Sequence, residues 1–448
     1  MDKRNSLAWA DPNARTEPLL LVGALILAFV LRALLVHLVP WRPCCGDDVW
    51  YFRTGVQLAK GLGYLNDLGQ PSAYFPVGYP LMLAAIFKVF GAELGVAQYG
   101  NVFISVGTMA LTYALARACK LPTRTSLLAA VAWGFLPNQL LSPVVTMSEI
   151  PFTFSVTLGL VLLVREPQQW ASHMLAGVVF GWATLIRPTA LFVPFIVLFA
   201  LTIMRQRPRD WNVTIARALV VAGCLAATIA PWTYRNYKTF GTFVLVSTNG
   251  GENLLIGNNP ASNQRHQATN FYPRDVDISS EIERDRIGGR LAMEYLRAHT
   301  LEAIFRAPRK LWYMYRSDLG VTNWVWLNTN QMFAYYASQA LTELVYLLVL
   351  CAGAFWLVLP FGRRESAAAR VFAAIAFAVI GYFSLVTLAF FGNARYHDPL
   401  MPIFAIAAAC CAGSAARRLR AAPVAVVDSA FALQPFSPEI SRDKAHET

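Results

Sequence analysis

Two adjacent aspartates, Asp47 and Asp48, follow the first long apolar run of the chain, within Cys45-Gly46-Asp47-Asp48-Val49-Trp50-Tyr51. Carboxylates close to a bilayer are energetically costly, so their presence there favours a functional explanation. One such function is that of a general base, which takes a proton from a hydroxyl group that attacks a lipid-borne substrate. The simpler alternative is a pair of hydrated loop residues, and the two aspartates alone leave both explanations open.

Further polar side chains fall at the ends of other apolar runs. They are Glu149, Arg187, Arg235, Asn236, Arg395, Tyr396 and His397. Each has an ordinary explanation when taken alone, such as a carboxylate at a helix N-terminus or an arginine that snorkels to the membrane surface. Arginine also binds phosphate through two parallel hydrogen bonds. If these residues share one membrane face, they predict a site for a lipid that carries a phosphate.

Composition places the chain in the membrane. It has 448 residues, of which 56% are hydrophobic and 14% charged, with a mean hydropathy of +0.43. Apolar stretches of nearly membrane-spanning length recur, whereas the short alternating strands of a β-barrel do not. The net charge of +12 comes mainly from short basic clusters between apolar runs, which favours membrane topology over nucleic-acid binding. We therefore predict an all-α integral membrane protein.

Basic clusters orient about ten predicted spans. The spans are 19–39, 96–118, 125–141, 148–164, two within 171–204 that are separated at Arg187-Pro188, 213–231, 334–360, 368–390 and 399–414. Two shorter apolar helices, Val49 to Lys60 and Tyr79 to Phe90, suit the membrane surface better than a crossing. In this arrangement the polar side chains above face the extracytoplasmic side.

The same reading predicts the organisation of the chain. Its parts are a cytoplasmic N-terminus at 1–18, a catalytic membrane module at 19–231 with a first extracytoplasmic loop at 40–95, an extracytoplasmic loop or subdomain at 232–333, C-terminal membrane helices at 334–414 and a cytoplasmic disordered tail at 415–448. The tail follows the last predicted span and is predicted to be disordered.

Metal and cysteine chemistry have weak signals. The seven cysteines lack a metal-binding spacing and do not form a disulfide framework. His266 and His397 could join a carboxylate in a metal site, but no helical histidine spacing supports one. A divalent metal is therefore possible, and no cofactor is certain.

An ordered series of motifs spans residues 40 to 402. The elements are Asp47-Asp48-Val49-Trp50-Tyr51, Gly61-Leu62-Gly63-Tyr64, Pro76-Val77-Gly78-Tyr79-Pro80, Ser148-Glu149-Ile150-Pro151-Phe152, Arg187-Pro188, Pro231-Trp232-Thr233-Tyr234-Arg235-Asn236-Tyr237 and Arg395-Tyr396-His397-Asp398-Pro399. In this order they resemble the GT-C glycosyltransferases of the protein O-mannosyltransferase and lipid A aminoarabinose transferase type.

The resemblance implies a GT-C-type helical bundle and a polyprenyl-phosphate sugar donor used on the extracytoplasmic face, with inversion at the anomeric carbon. It implies Asp47 as general base with support from Asp48 and Tyr51, and an arginine such as Arg395 on the donor phosphate. Tyr79, Glu149, Arg187, Arg235, Asn236, Tyr396 and His397 are the remaining predicted donor- or substrate-binding residues. The chain departs from the aminoarabinose type at Tyr74-Phe75, where that type has Glu-Lys, so a metal site and a lysine clamp are not implied.

Several alternatives stay open from the sequence. A glycan polymerase or ligase with a polyprenyl-diphosphate donor would need similar residues, and a lipid or sugar transporter would also collect charges in a membrane. The acceptor is a lipid, a glycan or a protein hydroxyl, and neither it nor the sugar is determined. The predicted location is the bacterial inner membrane.

Overall fold

The computed structural model describes residues 13–43, 46–165, 169–204, 211–266, 272, 280–326, 332–359 and 366–421. The N-terminal residues Lys3 and Arg4, the cysteines Cys44 and Cys45, the basic clusters at 205–209 and 363–364, and the tail beyond residue 421 lie outside this part. The sequence-based predictions for them are therefore not addressed below.

Within the described part the chain forms seventeen α-helices and no strand. In chain order, α1 to α17 are Asn13–Leu38, Asp47–Ala59, Gly78–Phe90, Leu94–Ala118, Thr123–Gly134, Pro137–Leu141, Glu149–Arg165, Trp170–Ile186, Val193–Ile203, Trp211–Phe240, Gly250–Gly257, Glu281–Ala298, Thr300–Tyr315, Gly320–Trp326, Met332–Val358, Ala367–Ala389 and Met401–Ala421. Short 3-10 turns lie at Ser142–Val144, Pro188–Ala190 and Ala394–Leu400. The prediction of an all-α fold is confirmed.

Six of the described helical segments are long and apolar enough to cross a membrane: Glu17–Leu38, Leu94–Ala118, Trp211–Phe240, Met332–Val358, Ala367–Ala389 and Ala394–Arg417. A seventh arises if Thr123–Gly134 and Pro137–Val144, which meet at 62°, count as one broken span. An integral membrane protein is therefore supported, while the predicted count of about ten spans is not confirmed. The other predicted spans form the helices α7, α8 and α9, but with 17, 17 and 11 residues these are short for a crossing.

The two short helices predicted for the first loop are present. They are α2 and α3, each of 13 residues, and they pack against one another. Gly46 precedes α2 with a φ of 107°, a conformation that glycine adopts without strain. This turn places Asp47 in the first turn of α2, where the positive end of the helix dipole favours a carboxylate.

Close helix packing in the bundle depends on small residues. Gly177 and Gly181 lie one turn apart on α8, against α10. A Cβ atom at Gly177 would lie 2.7 Å from Cys224 and from the backbone oxygen of Val221, and one at Gly181 would lie 2.7 Å from Thr228. This small-xxx-small spacing lets two membrane helices approach closely.

The helix α10 extends beyond its predicted end. We expected the span to end at Pro231, but the helix continues through this proline to Phe240. An interior proline removes one intrahelical hydrogen bond and its ring crowds the preceding turn, so the helix needs compensating contacts there. After it, Trp232 Nε1 donates to Val246 O at 2.7 Å and Thr233 Oγ1 to Leu245 O at 2.8 Å, so the following loop holds the extra turns in place.

One arginine inside the first span carries no predicted role. Arg32 is fully buried, and its guanidinium donates to Ser105 Oγ at 2.9 Å, Ala28 O at 3.1 Å and Gly134 O at 2.8 Å. The last bond satisfies a carbonyl at the end of α5, where the backbone breaks. Arg32 therefore joins α1 to α4 and to this break.

Candidate active site

Four charged side chains from four distant segments form one network. Arg395 Nη1 lies 2.8 Å from Asp47 Oδ2, and Arg395 Nε lies 3.5 Å from Glu149 Oε1. Arg187 Nη2 donates to the same Glu149 oxygen at 2.6 Å, while Arg187 Nε donates to Ser148 Oγ at 3.0 Å. Two carboxylates and two guanidinium groups thus alternate, and their charges balance.

Each member is positioned by the end of a helix or a turn. Asp47 begins α2 and Glu149 begins α7, so both carboxylates lie at helix N-termini. Arg187 has extended backbone between α8 and the turn Pro188–Ala190. Arg395 lies in the turn Ala394–Leu400, which Asn393 caps by accepting a hydrogen bond from the Arg395 backbone N–H at 3.1 Å.

The network borders a cavity of about 660 Å³. Asp47, Arg187 and Arg395 contribute to its wall. Apolar lining comes from Phe152, Ile186, Phe383, Val386, Phe390 and Phe391. Polar lining comes from Tyr74, Thr189, Ser247, Asn249, Glu252, Asn253 and His266. The cavity therefore combines a charged end, a polar side and an apolar side that includes the candidate span α16, which suits an amphiphilic ligand.

Electrostatics keep Asp47 ionised. Burial by itself would raise the pKa of the Asp47 carboxyl, but Arg395, helped by Arg187, holds the pKa below its usual value. The pKa of His266, which lines the cavity, is lowered by its partial burial and by Arg395, and this favours the neutral imidazole. The charged groups at this end are therefore the two acids and the two arginines.

The other residues predicted from the aspartate motif lie around Asp47. Asp48 is fully buried, and its backbone carbonyl accepts a hydrogen bond from Thr146 Oγ1 at 3.2 Å. Tyr51 lines the cavity and contacts the ring of Tyr79 edge-on, with ring centres 5.4 Å apart. Tyr79 is fully buried and its hydroxyl bonds to Asn101. Of the aspartate pair, only Asp47 lines the cavity.

Arg235 and Asn236 lie in another environment. Arg235 donates to the backbone oxygens of Ser72 at 2.7 Å and of Tyr64 at 3.3 Å, and its guanidinium lies over the Trp232 ring. The buried Asn236 donates to Val244 O at 3.2 Å. Neither is among the described residues that line the cavity. Arg235 thus fixes the first loop against α10, whereas Asn236 holds the loop that follows α10 and accepts a hydrogen bond from Arg235 at 3.1 Å.

His397 also lies apart from the cavity, whereas its neighbour Tyr396 lines it. The His397 ring is fully buried and 3.0 Å from Asp318 Oδ1. Asp318, His397 and Asp398 form a group that could hold a metal ion, and it is the only such group among the described residues. His397 thus lies beside a carboxylate, although the histidine spacing in the sequence did not favour a metal site, and His266 is not part of the cluster.

Several lining residues were not predicted as site residues, among them Tyr74 and Glu252. The hydroxyl of Tyr74 donates to Glu252 Oε2 at 2.7 Å, and burial together with the Glu252 charge raises the pKa of Tyr74. Glu252 belongs to the short helix α11, in a stretch whose glycines match no phosphate-binding loop. The sequence carries one signal for this contact, because Tyr74-Phe75 stands where the aminoarabinose type has Glu-Lys. A tyrosine at this position supplies a hydrogen-bond donor to a facing carboxylate.

A family model agrees with the motifs. The model of dolichyl-phosphate-mannose-protein mannosyltransferases matches residues 75–234. The resemblance to GT-C glycosyltransferases is therefore confirmed by an independent comparison. The matched region includes Glu149 and Arg187, whereas Asp47 and Arg395 lie outside it. No curated protein gives a significant sequence match.

Solved structures confirm the fold. The apo oligosaccharyltransferase of Archaeoglobus fulgidus aligns with a TM-score of 0.53 at 14% identity, over 89% of this chain and 51% of that one. The Archaeoglobus fulgidus oligosaccharyltransferase AglB in complex with an inhibitory peptide and a dolichol-phosphate gives a TM-score of 0.52 at 13% identity, over 89% of this chain and 51% of that one. An Archaeoglobus fulgidus oligosaccharyltransferase in complex with Zn and sulfate gives 0.52 at 15% identity, over 89% and 49%. The chain thus has a GT-C-type fold and spans about half the length of these proteins.

Proposed function

We propose that this protein is an inverting glycosyltransferase that moves a sugar from a polyprenyl-phosphate carrier to an acceptor hydroxyl on the extracytoplasmic side of the membrane. The observation that carries the proposal is the Asp47–Arg395 ion pair at the charged end of the cavity. A base and a phosphate-binding cation are the two groups that this transfer needs, and they meet where a lipid-like ligand can enter.

The chemistry needs few groups. Asp47 takes the proton of the acceptor hydroxyl as its oxygen forms a bond to the anomeric carbon. The bond from that carbon to the phosphate oxygen breaks on the opposite face, and the polyprenyl phosphate leaves as an anion. Inversion follows because attack and departure occur on opposite faces. Arg395 and Arg187 stabilise the leaving phosphate.

The remaining predicted residues support this arrangement. Tyr51 and Tyr396 line the cavity beside the reacting groups, and Asp48 supports the first turn of α2 from its buried position. Glu149 holds both arginines through one oxygen. Arg235 keeps the loop with Tyr74 in place, and Asn236 accepts a hydrogen bond from Arg235. The apolar wall accepts the first part of the polyprenyl chain.

Localisation and domain roles complete the proposal. The basic clusters between spans favour a cytoplasmic side opposite to the site, in a bacterial inner membrane. Residues 19–231 would supply Asp47, Glu149 and Arg187, and the C-terminal helices at 334–414 would supply Arg395. The loop at 232–333 would cover the cavity through α11.

A second candidate is transfer of a preassembled glycan from a polyprenyl diphosphate. It is favoured by one observation, the fold likeness to an oligosaccharyltransferase that has been solved with a dolichol-phosphate and with an acceptor peptide. The two candidates share the base and the cationic group and differ in the donor.

The testing experiment uses the purified protein in proteoliposomes. Polyprenyl-phosphate and polyprenyl-diphosphate donors with radiolabelled sugars are supplied together with extracted envelope lipids, glycans and peptides as acceptors. Transfer from the monophosphate to an acceptor supports the proposal, whereas transfer from the diphosphate alone supports the second candidate. Movement of intact donor across the bilayer without cleavage would instead identify a transporter.

The pH dependence of transfer follows from the lowered pKa of Asp47. The carboxylate is the active form, and it is lost only as the pH falls through a pKa that lies below the usual value of about 3.9. The ratio kcat/KM for the donor, which reports the free enzyme with its Asp47–Arg395 pair, should therefore not fall between pH 8 and about 5. In Arg395→Gln the decline of activity at low pH should begin at a higher pH, because the cation that lowers the pKa of Asp47 is gone. A wild-type acid limb near pH 6 would contradict Asp47 as the base.

A further inference from the structure

A buried cluster outside the cavity has the composition of a metal site. Asp318, His397 and Asp398 each offer a ligand atom, and these atoms all lie within 4.8 Å of one another. The three residues are exposed by 3%, 0% and 5%, so solvent does not hydrate their charges. They come from the segment between α13 and α14 and from the turn Ala394–Leu400.

The imidazole of His397 is already oriented for ligation. Its Nδ1 donates to the Met314 carbonyl at 2.6 Å, and its ring stacks on Tyr346 with centres 4.9 Å apart. This leaves Nε2 facing Asp318 Oδ1 at 3.0 Å. A histidine that ligates a metal usually donates its other ring N–H to a carbonyl or carboxylate in the same way.

Two carboxylate oxygens of the cluster, Asp318 Oδ2 and Asp398 Oδ1, are buried without a hydrogen-bond partner among the described residues, and the same is true of the amide oxygen of Asn138. Asn138 belongs to the cluster because its amide nitrogen donates to Asp318 Oδ1 at 2.9 Å. An unpaired buried polar atom costs roughly 1–3 kcal/mol, more when it is charged. A cation would satisfy several of these atoms at once.

Charge balance points the same way. Within the described part of the chain, Asp398 forms no ion pair, and Arg187 and Arg395 are already paired with Glu149 and Asp47. A protonated His397 would neutralise one of the two carboxylates and leave the other. A divalent ion neutralises both while the imidazole stays neutral.

We propose that Asp318, His397 and Asp398 bind one divalent first-row transition ion, with the Asn138 amide oxygen as a fourth ligand once that amide is flipped. The mixed nitrogen and oxygen donors favour such an ion over Ca²⁺ or Mg²⁺. The closed, buried position is typical of a structural site. The ion ties α6 and the segment after α13 to the turn that carries Arg395, and it takes no part in the transfer chemistry.

The test measures metal directly and does not depend on transfer activity. Tag-free, monodisperse protein is produced with Zn²⁺ in the medium, dialysed and analysed by plasma mass spectrometry. One bound ion per chain is expected, and X-ray absorption at the zinc edge should show one imidazole and otherwise oxygen ligands. Replacement by Co²⁺ should give visible d–d absorption. A well-folded wild-type protein without bound metal, or with sulfur ligands, would overturn the proposal.

Variants locate the ion. His397→Gln and Asp398→Asn should lose the metal and the Co²⁺ absorption. The matched control is His299→Gln, since His299 is an exposed histidine whose Nδ1 lies 3.6 Å from the Glu302 carboxylate. It should keep one ion per chain. Retention of metal by both cluster variants would place the ion elsewhere. If these variants fail to fold, the number of bound ions per chain and the ligand atoms found in the wild-type protein still test the proposal.

Discussion

Replacing Asp47 by asparagine is expected to lower sugar transfer by at least about 10²-fold, the usual contribution of a positioned general base. The amide keeps the size of the side chain and its place at the start of α2, but it cannot take the acceptor proton. Donor binding should persist, because Arg395 loses its carboxylate partner and is free for the phosphate. The measurements are turnover at saturating donor and equilibrium binding of labelled donor.

The chain offers matched controls for this change. Asp67→Asn removes a carboxylate from the same loop, where Asp67 is 73% exposed and pairs with Arg53, and it should leave turnover near the wild-type rate. Asp48→Asn tests the neighbour that does not line the cavity, and its turnover should fall less than that of Asp47→Asn. Wild-type turnover in Asp47→Asn, or a larger loss in Asp48→Asn, would show that Asp47 is not the base.

Replacing Arg395 by glutamine is expected to weaken donor binding by about 10- to 150-fold. This range corresponds to the roughly 1.5–3 kcal/mol of a hydrogen bond to a charged group. In the absence of donor the guanidinium pairs with Asp47 at 2.8 Å, so binding of the phosphate exchanges one anionic partner for another and frees the base. Binding of radiolabelled donor, and of the bare polyprenyl phosphate, measures the effect.

The comparison with Asp47→Asn separates this model from a merely structural role of Arg395. Both variants break the same ion pair, but only Arg395→Gln should lose donor affinity. Arg286→Gln is the charge-matched control, because Arg286 pairs with Glu283 on an exposed helix surface, and it should bind donor normally. Equal losses of donor affinity in Asp47→Asn and Arg395→Gln would mean that the pair only stabilises the fold.

The class of this protein could be predicted from three patterns in the sequence. They are the length of the apolar runs, the basic clusters between these runs and the order of the motifs. Both surface helices of the first loop were predicted because their apolar residues recur with helical spacing. The number of spans was harder to predict. Helices α8 and α9 are apolar but only 17 and 11 residues long, and apolarity alone does not distinguish a helix within the bundle from a full crossing.

In the candidate site, too, some features could be predicted from neighbouring residues, whereas others depend on residues far apart in the sequence. The acid pair was visible in the sequence, but the choice of Asp47 over Asp48 as the lining residue depends on the direction in which α2 presents each side chain. Arg235 has the residue type of a phosphate ligand, yet its partners are backbone oxygens more than 160 positions earlier in the chain. The residue type alone could not reveal those partners.

Local chemistry along the chain thus determined that this is a helical membrane protein with acids and arginines at the ends of its apolar segments. Only the folded bundle decided which of them meet, since Asp47 and Arg395 are 348 positions apart and pair through the packing of separate helices. The same packing brought Asp318 to His397 and Asp398. These residues are too far apart in the sequence to form a recognisable metal-binding motif. Helix periodicity and hydropathy act over a few residues, whereas contacts between distant segments depend on how the whole bundle closes.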